Sequence, residues 1–264
     1  MSRFSLPATG GVLFFAAAAL FPQAPAPVES FLDRVAARLE SFNPKSSWTA
    51  SVTSTQIEND RKWRPEKTIV QTKAVVVTEG RREENVLKVV ETVDGKTADI
   101  TERFLAEQKA RREKYRARRA AAEQDKPGAE RSSRPRLRMD SFAELLPFSA
   151  ERRTEFFFDL RETADPAGRR LYLLDVRAKT KDPWNWEGTY TIDAATFTPL
   201  RARLKPSETP AFVKEIEVEA EFEVVEGVHF IPKRTRVKVN GGFLFIKRIR
   251  LISEEIYSGV AITN

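Results

Sequence analysis

Residues 215 to 239, EIEVEAEFEVVEGVHFIPKRTRVKV, place glutamate at alternate positions in one half and arginine or lysine at alternate positions in the other. Chemistry of period two over this length dictates strands, because successive side chains of a strand point to opposite faces. A two-residue loop at Glu226-Gly227 would set Glu219 opposite Arg234, Glu217 opposite Arg236 and Glu215 opposite Lys238. The other face of that hairpin then pairs Ile216 with Val237, Val218 with Thr235 and Phe222 with Ile231. Each opposed charge pair contributes about 0.2–1 kcal/mol, less where water screens it. Their larger effect is on register, since a one-residue slip would push the acidic row into the apolar side. The hairpin belongs to a sheet with one wet face and one apolar face.

Strand composition recurs along the chain. From Trp48 onward, Trp48, Ala50 and Val52 alternate with Thr49, Ser51, Thr53 and Thr55. Further runs cover 67–78 and 85–93, the latter closed by the turn signal Asp94-Gly95. After residue 140 come a short helical turn at 140–146 and strands at 156–160, 171–178, 186–192, 200–204, 213–224, 228–239 and 243–252. Turn signals at 166–168, 182–183, 193–194, 206 and 240–241 separate them. Short connections make neighbours antiparallel.

Ahead of the strands, Val28, Phe31, Leu32, Val35, Leu39 and Phe42 fall at spacings of three and four, with Glu29, Asp33, Arg34, Arg38 and Glu40 elsewhere around the helix. Asn43-Pro44 stops it. A ten-stranded sheet with one apolar face cannot stay flat and open, and this helix is its filler. The fold class expected is mainly β with α: a curved antiparallel half-open β-barrel of about ten strands wrapped around an N-terminal amphipathic helix, with a charged helical insertion.

Residues 1–26 read as an export signal. Arg3 supplies the positive start, residues 11–21 are an apolar run too short to span a bilayer, and Ala24-Pro25-Ala26 has small-x-small form, although Pro27 after the cut suits a peptidase poorly. The 264-residue chain has no cysteine, which excludes disulfides, thiolate metal sites and a lipid-modified cysteine. The rest, residues 27–264, reads as one domain interrupted at 100–139 by a helical stretch (102–124) and a Pro/Gly/Ser-bearing linker.

That insertion holds 13 Lys and Arg against 6 Asp and Glu, so the excess of 45 over 38 in the whole chain leaves 32 against 32 outside it. The basic character belongs to the arm, above all Arg111, Arg112, Lys114, Arg116, Arg118 and Arg119. RREKYRARR would suit a nucleic-acid backbone, which an exported chain rarely meets; without export that ranking reverses. A solvated excursion, or contact with an anionic membrane surface or another envelope protein, is the expectation instead.

Together the export signal, the amphipathic helix leading into a Trp- and Thr-bearing strand, the Asp-Gly turn and WEGTYTIDAATFTPLRARL at 186–204 resemble the LolA/LolB-like outer-membrane lipoprotein-sorting superfamily. Its relatives include sigma-factor regulators of the MucB/RseB type. The resemblance covers roughly 28–99 and 140–258, best at Tyr190-Thr191-Ile192-Asp193 through Pro199-Leu200-Arg201. It implies an incomplete barrel folded round helices that holds lipid acyl chains.

Catalysis finds little support. His229 is the one histidine and reads as a solvated strand-end imidazole; no strained serine elbow, Gly-rich phosphate loop or metal-spaced cluster stands out. Glu215, Glu217, Glu219, Glu221 and Glu223 form a solvated face whose strand partner neutralises at least three of them. Trp184 and Trp186, two apart, share one side of a strand, either in the core or at the rim of a cavity. The expectation is a monomeric, non-enzymatic, cofactor-free carrier, periplasmic or secreted, that binds a lipid or lipoprotein acyl chain. Its cavity residues would be Phe31, Val35, Leu39, Trp186, Ile216, Val218, Phe222, Val237, Phe243 and Phe245. The alternative is an envelope sensing or scaffold module that binds a protein partner.

Overall fold

A computed structural model describes residues 28–42, 47–79, 81–125, 146–210, 212–243 and 247–263. The expected signal segment, the Asn43-Pro44 stop and all but the last residue of the turn at 140–146 lie outside them. The described elements are α1 (Val28–Glu40), β1 (Ser47–Asn59), β2 (Pro65–Thr78), β3 (Arg81–Val93), β4 (Lys96–Asp99), α2 (Thr101–Asp125), a one-turn helix α3 (Ala150–Arg153), β5 (Phe156–Ala164), β6 (Arg170–Ala178), β7 (Trp186–Asp193), β8 (Pro199–Pro206), β9 (Val213–Val225), β10 (His229–Phe243) and β11 (Lys247–Thr263).

All eleven strands form one antiparallel, unclosed sheet in the order β4-β3-β2-β1-β11-β10-β9-β8-β7-β6-β5, a half-open barrel. Two meanders, β1–β4 and β5–β11, join where the first strand pairs with the last. β4 is one strand more than the sequence pattern shows, because its four residues are all exposed and carry no alternation. Asp94 and Gly95, with φ of 49° and 74°, make the tight turn into it.

Asn240-Gly241 is not a turn but part of the β10–β11 ladder, opposite Arg250 and Ile249. The glycines allow close backbone approach instead: a Cβ on Gly241 would stand 3.1 Å from the Phe212 carbonyl oxygen, and Gly242 N–H donates to that oxygen at 2.9 Å. The strand expected at 243–252 therefore straddles a hairpin, with Phe243 ending β10 opposite Lys247 of β11. β11 runs on to Thr263, past a register shift near Gly259 (φ 60°).

The acidic–basic hairpin forms, two residues out of the expected register: Arg236 faces Glu219, Lys238 faces Glu217 and Arg234 faces Glu221. Val225 pairs with His229, so the loop has three residues rather than two, and a β-bulge between Pro232 and Arg234 adds the second shift. Pro232 has no N–H to give the ladder, which favours a bulge there. Two one-residue shifts restore parity, so acids still oppose bases and Val237 now faces Val218.

α1 buries Phe31, Leu32 and Val35. They pack with Leu174, Val176, Trp186, Tyr190, Ile192, Leu204, Val218 and Phe222 of β6–β9 and with Leu146 and Phe148. Full burial of such side chains contributes about 1.5–3 kcal/mol each. The helix ends at Glu40, earlier than the expected residue 42, but Phe42 beyond it stays buried, its ring 5.3 Å from that of Phe230. A second cluster gathers Trp48, Ala50, Val52, Val75, Val77, Ile231 and Tyr257.

Candidate functional site

Residues directly opposed on neighbouring strands share a face, so the register traces whole rows of side chains across the sheet. One row runs Leu160, Leu174, Tyr190, Ala202, Ala220, Thr235, Glu255, Ser54, Gln71 and Val89, from β5 to β3. The next runs Phe158, Val176, Gly188, Leu204, Val218, Val237, Ser253, Gln56, Ile69 and Glu91. Both lie on the face that carries α1, because Leu174, Tyr190, Val176 and Val218 belong to the helix cluster. Under the helix the rows are apolar; beyond β10 they are mostly polar, with Val89 and Ile69 the exceptions.

The sequence reading of one uniformly apolar face is thereby corrected. β11, β1 and β2 carry Glu255, Ser253, Ser54, Gln56, Gln71 and Lys73 on it, outside the reach of the thirteen-residue helix. No alternation rule separates this from a wet face, because only long-range register shows which side each residue joins.

At the centre is an ionic network. Lys73 Nζ lies 3.1 Å from both Glu84 and Glu255, and Arg82 lies 2.6 Å from Glu84 and 3.4 Å from Glu255. Tyr257 OH accepts from Arg82 at 2.7 Å and donates to Glu255 at 3.1 Å. Burial works against the Glu255 carboxylate, but Lys73 and then Arg82 outweigh it and hold its pKa below the ordinary range. Burial pushes the Tyr257 phenol well above its usual value. Thr235, opposite Glu255 and almost fully buried, leaves its hydroxyl without a hydrogen-bond partner among the described residues.

Beside the network the face is less closed. Ile216, Val237 and Val239 of β9 and β10, Leu251 and Ser253 of β11, Gln56 of β1 and Ile69 of β2 are only half-buried. They lie in neighbouring rows, Ile216 opposite Val239 and Val239 opposite Leu251.

The expected cavity residues divide accordingly. Phe31, Val35, Trp186, Val218 and Phe222 are buried in the helix cluster, with Leu39, Ile216 and Val237 packed partly against it. Phe245 and the Phe243 side chain lie outside the described structure. Of the basic arm, Arg111, Arg112, Lys114, Arg116 and Arg118 are exposed on α2, and the Arg119 side chain is not described.

Two further readings change. His229 is buried, not solvated, with Nδ1 unpartnered among the described residues, because its neighbours Val225 and Ile231 pack into the second cluster. Trp186 opens β7 and is buried, whereas Trp184 is exposed in the turn before it, its N–H bound to Asp182. The Asp182 turn ends their common face.

The outer face takes the charge ladder, and the glutamates of β9 find cations on both sides: Arg203 to Glu219 at 3.1 Å, Arg201 to Glu221 at 3.3 Å and Lys238 to Glu215 at 3.2 Å. Among the described residues no three His, Cys, Asp or Glu side chains gather as a metal site, and no helix is long and apolar enough to cross a membrane.

No family model and no curated protein matches the sequence. Solved structures do match it in fold. The chain is similar to LolA superfamily proteins. A member from Nitrosomonas europaea is 11% identical, with 89% of this chain and 93% of that chain covered and a TM-score of 0.34. A DUF1329 family protein from Desulfovibrio piger gives 11%, 89%, 93% and 0.37, and the Pseudomonas aeruginosa MucA/MucB complex gives 10%, 90%, 100% and 0.23. Likeness of this order speaks to neither ligand nor partner.

Proposed function

We propose that this protein is a non-enzymatic binding module of the cell envelope that carries an amphiphile, the acyl chain of a lipid or lipoprotein, on the helix-bearing face of its sheet. The observation that carries the reading is the change of character at β10, where α1 gives out and half-buried apolar side chains stand next to a polar network. An acyl chain along Ile216, Val237, Val239, Leu251 and Ile69 would replace water at about 25 cal/mol per Å² of apolar area. Its polar end would meet Ser253, Gln56 and the Lys73–Glu255–Arg82 group. A sugar would gain little from the first lining and a bare alkane nothing from the second.

The proposal puts the mature chain outside the cytoplasm, on the strength of Arg3, the apolar run at 11–21 and Ala24-Pro25-Ala26. The second reading, a module for an envelope protein partner, is favoured by one observation: Phe31, Val35, Trp186, Val218 and Phe222 close on one another, which reduces the space for a chain beneath the helix.

A fluorescent fatty-acyl probe tests the carrier reading. Micromolar binding is expected, weakened about tenfold or more by Val237→Arg with the melting temperature kept; a tenfold loss corresponds to about 1.4 kcal/mol. Absence of probe binding, together with native mass spectra that show a stoichiometric protein and no lipid, would transfer support to the partner reading.

A further inference from the structure

The two edges of the sheet are not alike. At one end β4 is four exposed residues long, with Lys96 and Asp99 at its ends, the short charged form that blocks strand addition. At the other, β5 is nine residues long, and among the described residues β6 is its one strand neighbour. Its register with β6 runs unbroken from Phe156 to Ala164, without proline or bulge, so it lacks the devices that refuse a further strand. Lys179 N–H donates to the Glu155 carbonyl at 2.9 Å. Alternation of the antiparallel ladder from that pair turns the backbone groups of Phe157, Asp159, Arg161 and Thr163 toward β6, and those of Phe156, Phe158, Leu160, Glu162 and Ala164 away from it.

The charges beside this edge balance. On the face opposite α1, Glu155, Asp159 and Asp175 stand with Arg161, Arg177 and Lys179, and farther back Glu187 is held by Lys181 at 3.3 Å and Lys205 at 3.8 Å. On the α1 face Glu162 is held by Arg170 at 2.6 Å. Net charge therefore selects no partner, and the position of each charge along β5 decides what can pair with it. Arg161 is bound to Asp175, whereas Asp159 is exposed and has no ion pair among the described residues. Phe157 is 58% exposed, unusual for an aromatic side chain on a strand.

β5 is complementary to itself. Leu160 is the midpoint of Phe156–Ala164 and turns its backbone groups outward, so a two-fold axis through it pairs all nine residues with those of a second copy. That axis sets Asp159 opposite the second copy's Arg161, Arg161 opposite its Asp159, and Phe157 opposite its Thr163, an aromatic against a β-branched residue. Moving the axis by one residue would oppose Asp159 to its own copy or Arg161 to its own copy, and would shorten the paired stretch. Like charges directly opposed are destabilising, so the charges and the strand length favour the same register.

We infer that β5 is a self-association edge: two copies of this chain join antiparallel, β5 to β5, about a two-fold axis at Leu160, with Asp159 and Arg161 paired across it in both directions. The outward groups of Phe156, Phe158, Leu160, Glu162 and Ala164 supply the backbone hydrogen bonds, and the two charge pairs fix the register. Pairing of single strand edges buries little surface, so the association is weak and reversible, and the monomer expected from the sequence is its dilute form. The half-buried groove across β9–β2 lies away from this edge, and the dimer does not depend on the acyl site.

The test is sedimentation equilibrium of the full chain, with a dimer dissociation constant in the tens of micromolar expected. Asp159→Arg puts arginine opposite arginine and Arg161→Asp puts aspartate opposite aspartate, so each variant alone should dimerise at least tenfold more weakly. An equimolar mixture of the two restores opposite charges at both positions and should form a heterodimer within about threefold of the parent affinity. Should Arg161→Asp fail to fold for want of its bond to Asp175, single cysteines carry the test in this cysteine-free chain. Directly opposed Cα atoms of a hydrogen-bonded pair are about 5.5 Å apart, within disulfide reach, so Leu160→Cys should cross-link to a dimer under mild oxidation and Glu162→Cys should not. A chain monomeric at several hundred micromolar, a dimer indifferent to Asp159→Arg, or cross-linking at Glu162→Cys but not at Leu160→Cys would overturn the proposal. So would slow amide exchange at Phe158, Leu160 and Glu162 in the dilute monomer, which would mean that the chain covers this edge itself.

Discussion

Lys73 on β2 reaches across β1 to Glu255 on β11, Nζ to Oε1 at 3.1 Å, with both groups largely withdrawn from water. The pair ties the first meander to the last strand at the seam where β1 pairs with β11. Removing one member of a withdrawn ion pair costs more than removing both, because the survivor keeps its desolvation penalty without its partner. Lys73→Met should therefore lower stability by about 1–3 kcal/mol, and Lys73→Met with Glu255→Met should recover at least half of that in urea denaturation. A double variant no more stable than the single would show that the ion pair is not what the strands lean on.

The same carboxylate gives a pH signature. Its pKa is lowered in the folded chain from an ordinary value of 4.5 by Lys73 and Arg82, against burial. The unfolded chain thus takes up the proton first, and the stability Glu255 contributes is full above the ordinary value and lost as pH falls through the folded one. Between about pH 5 and pH 3 the wild-type unfolding free energy should fall more steeply than that of Glu255→Gln, the difference in slope reaching at most about 1.4 kcal/mol per pH unit. Parallel profiles would remove Glu255 from the acid response.

Much of this architecture was legible from alternation alone. The acid and base rows of β9 and β10, the helix stripe Phe31–Val35 and the position of α2 are local patterns, and each forms as its spacing requires. The pairing of β1 with β11 is not local, and with it went the Lys73–Glu255 contact, which joins residues 182 positions apart. The bulge at Pro232 could have been anticipated from proline's missing N–H, and β4 from the Asp94-Gly95 turn, which needs a second strand to turn into. The burial of His229 depends on how the hairpin tip packs, and nothing in its neighbours' composition fixes that.

Gly188 offers a sharper test of the register under the helix. It pairs with Val176 on one side and Leu204 on the other, and a Cβ there would lie 2.1 Å from the Arg203 carbonyl oxygen, at a backbone φ of 150°. The obstacle is backbone rather than a side chain that could swing away. Gly188→Ala should destabilise by about 3 kcal/mol or more, seen as a drop in the urea midpoint at unchanged m-value. A neutral substitution would mean that β7 and β8 are not in this register.

The basic arm makes the last prediction. Asp99 anchors the base of α2, accepting from the Thr101 N–H and hydroxyl at 2.9 and 2.6 Å, and Arg103 reaches Glu91 of β3 at 2.9 Å. Past that first turn the helix has no buried side chain among those described, and Arg111, Arg112, Lys114, Arg116 and Arg118 stand in solvent. A helix charged on every side contributes little to a core but suits an anionic lipid surface, where each cation near the membrane is worth about 1 kcal/mol. Replacing Arg111, Arg112, Lys114, Arg116 and Arg118 with glutamine should leave a single cooperative melt within about 2 °C of the parent, since changes at exposed positions away from caps and core stay within about 0.5 kcal/mol. Acyl-probe binding should also persist, whereas cosedimentation with phosphatidylglycerol vesicles, and its sensitivity to salt, should disappear. Loss of the cooperative melt would show the arm to be part of the core; vesicle binding that survives the replacement would place membrane attraction on the sheet instead.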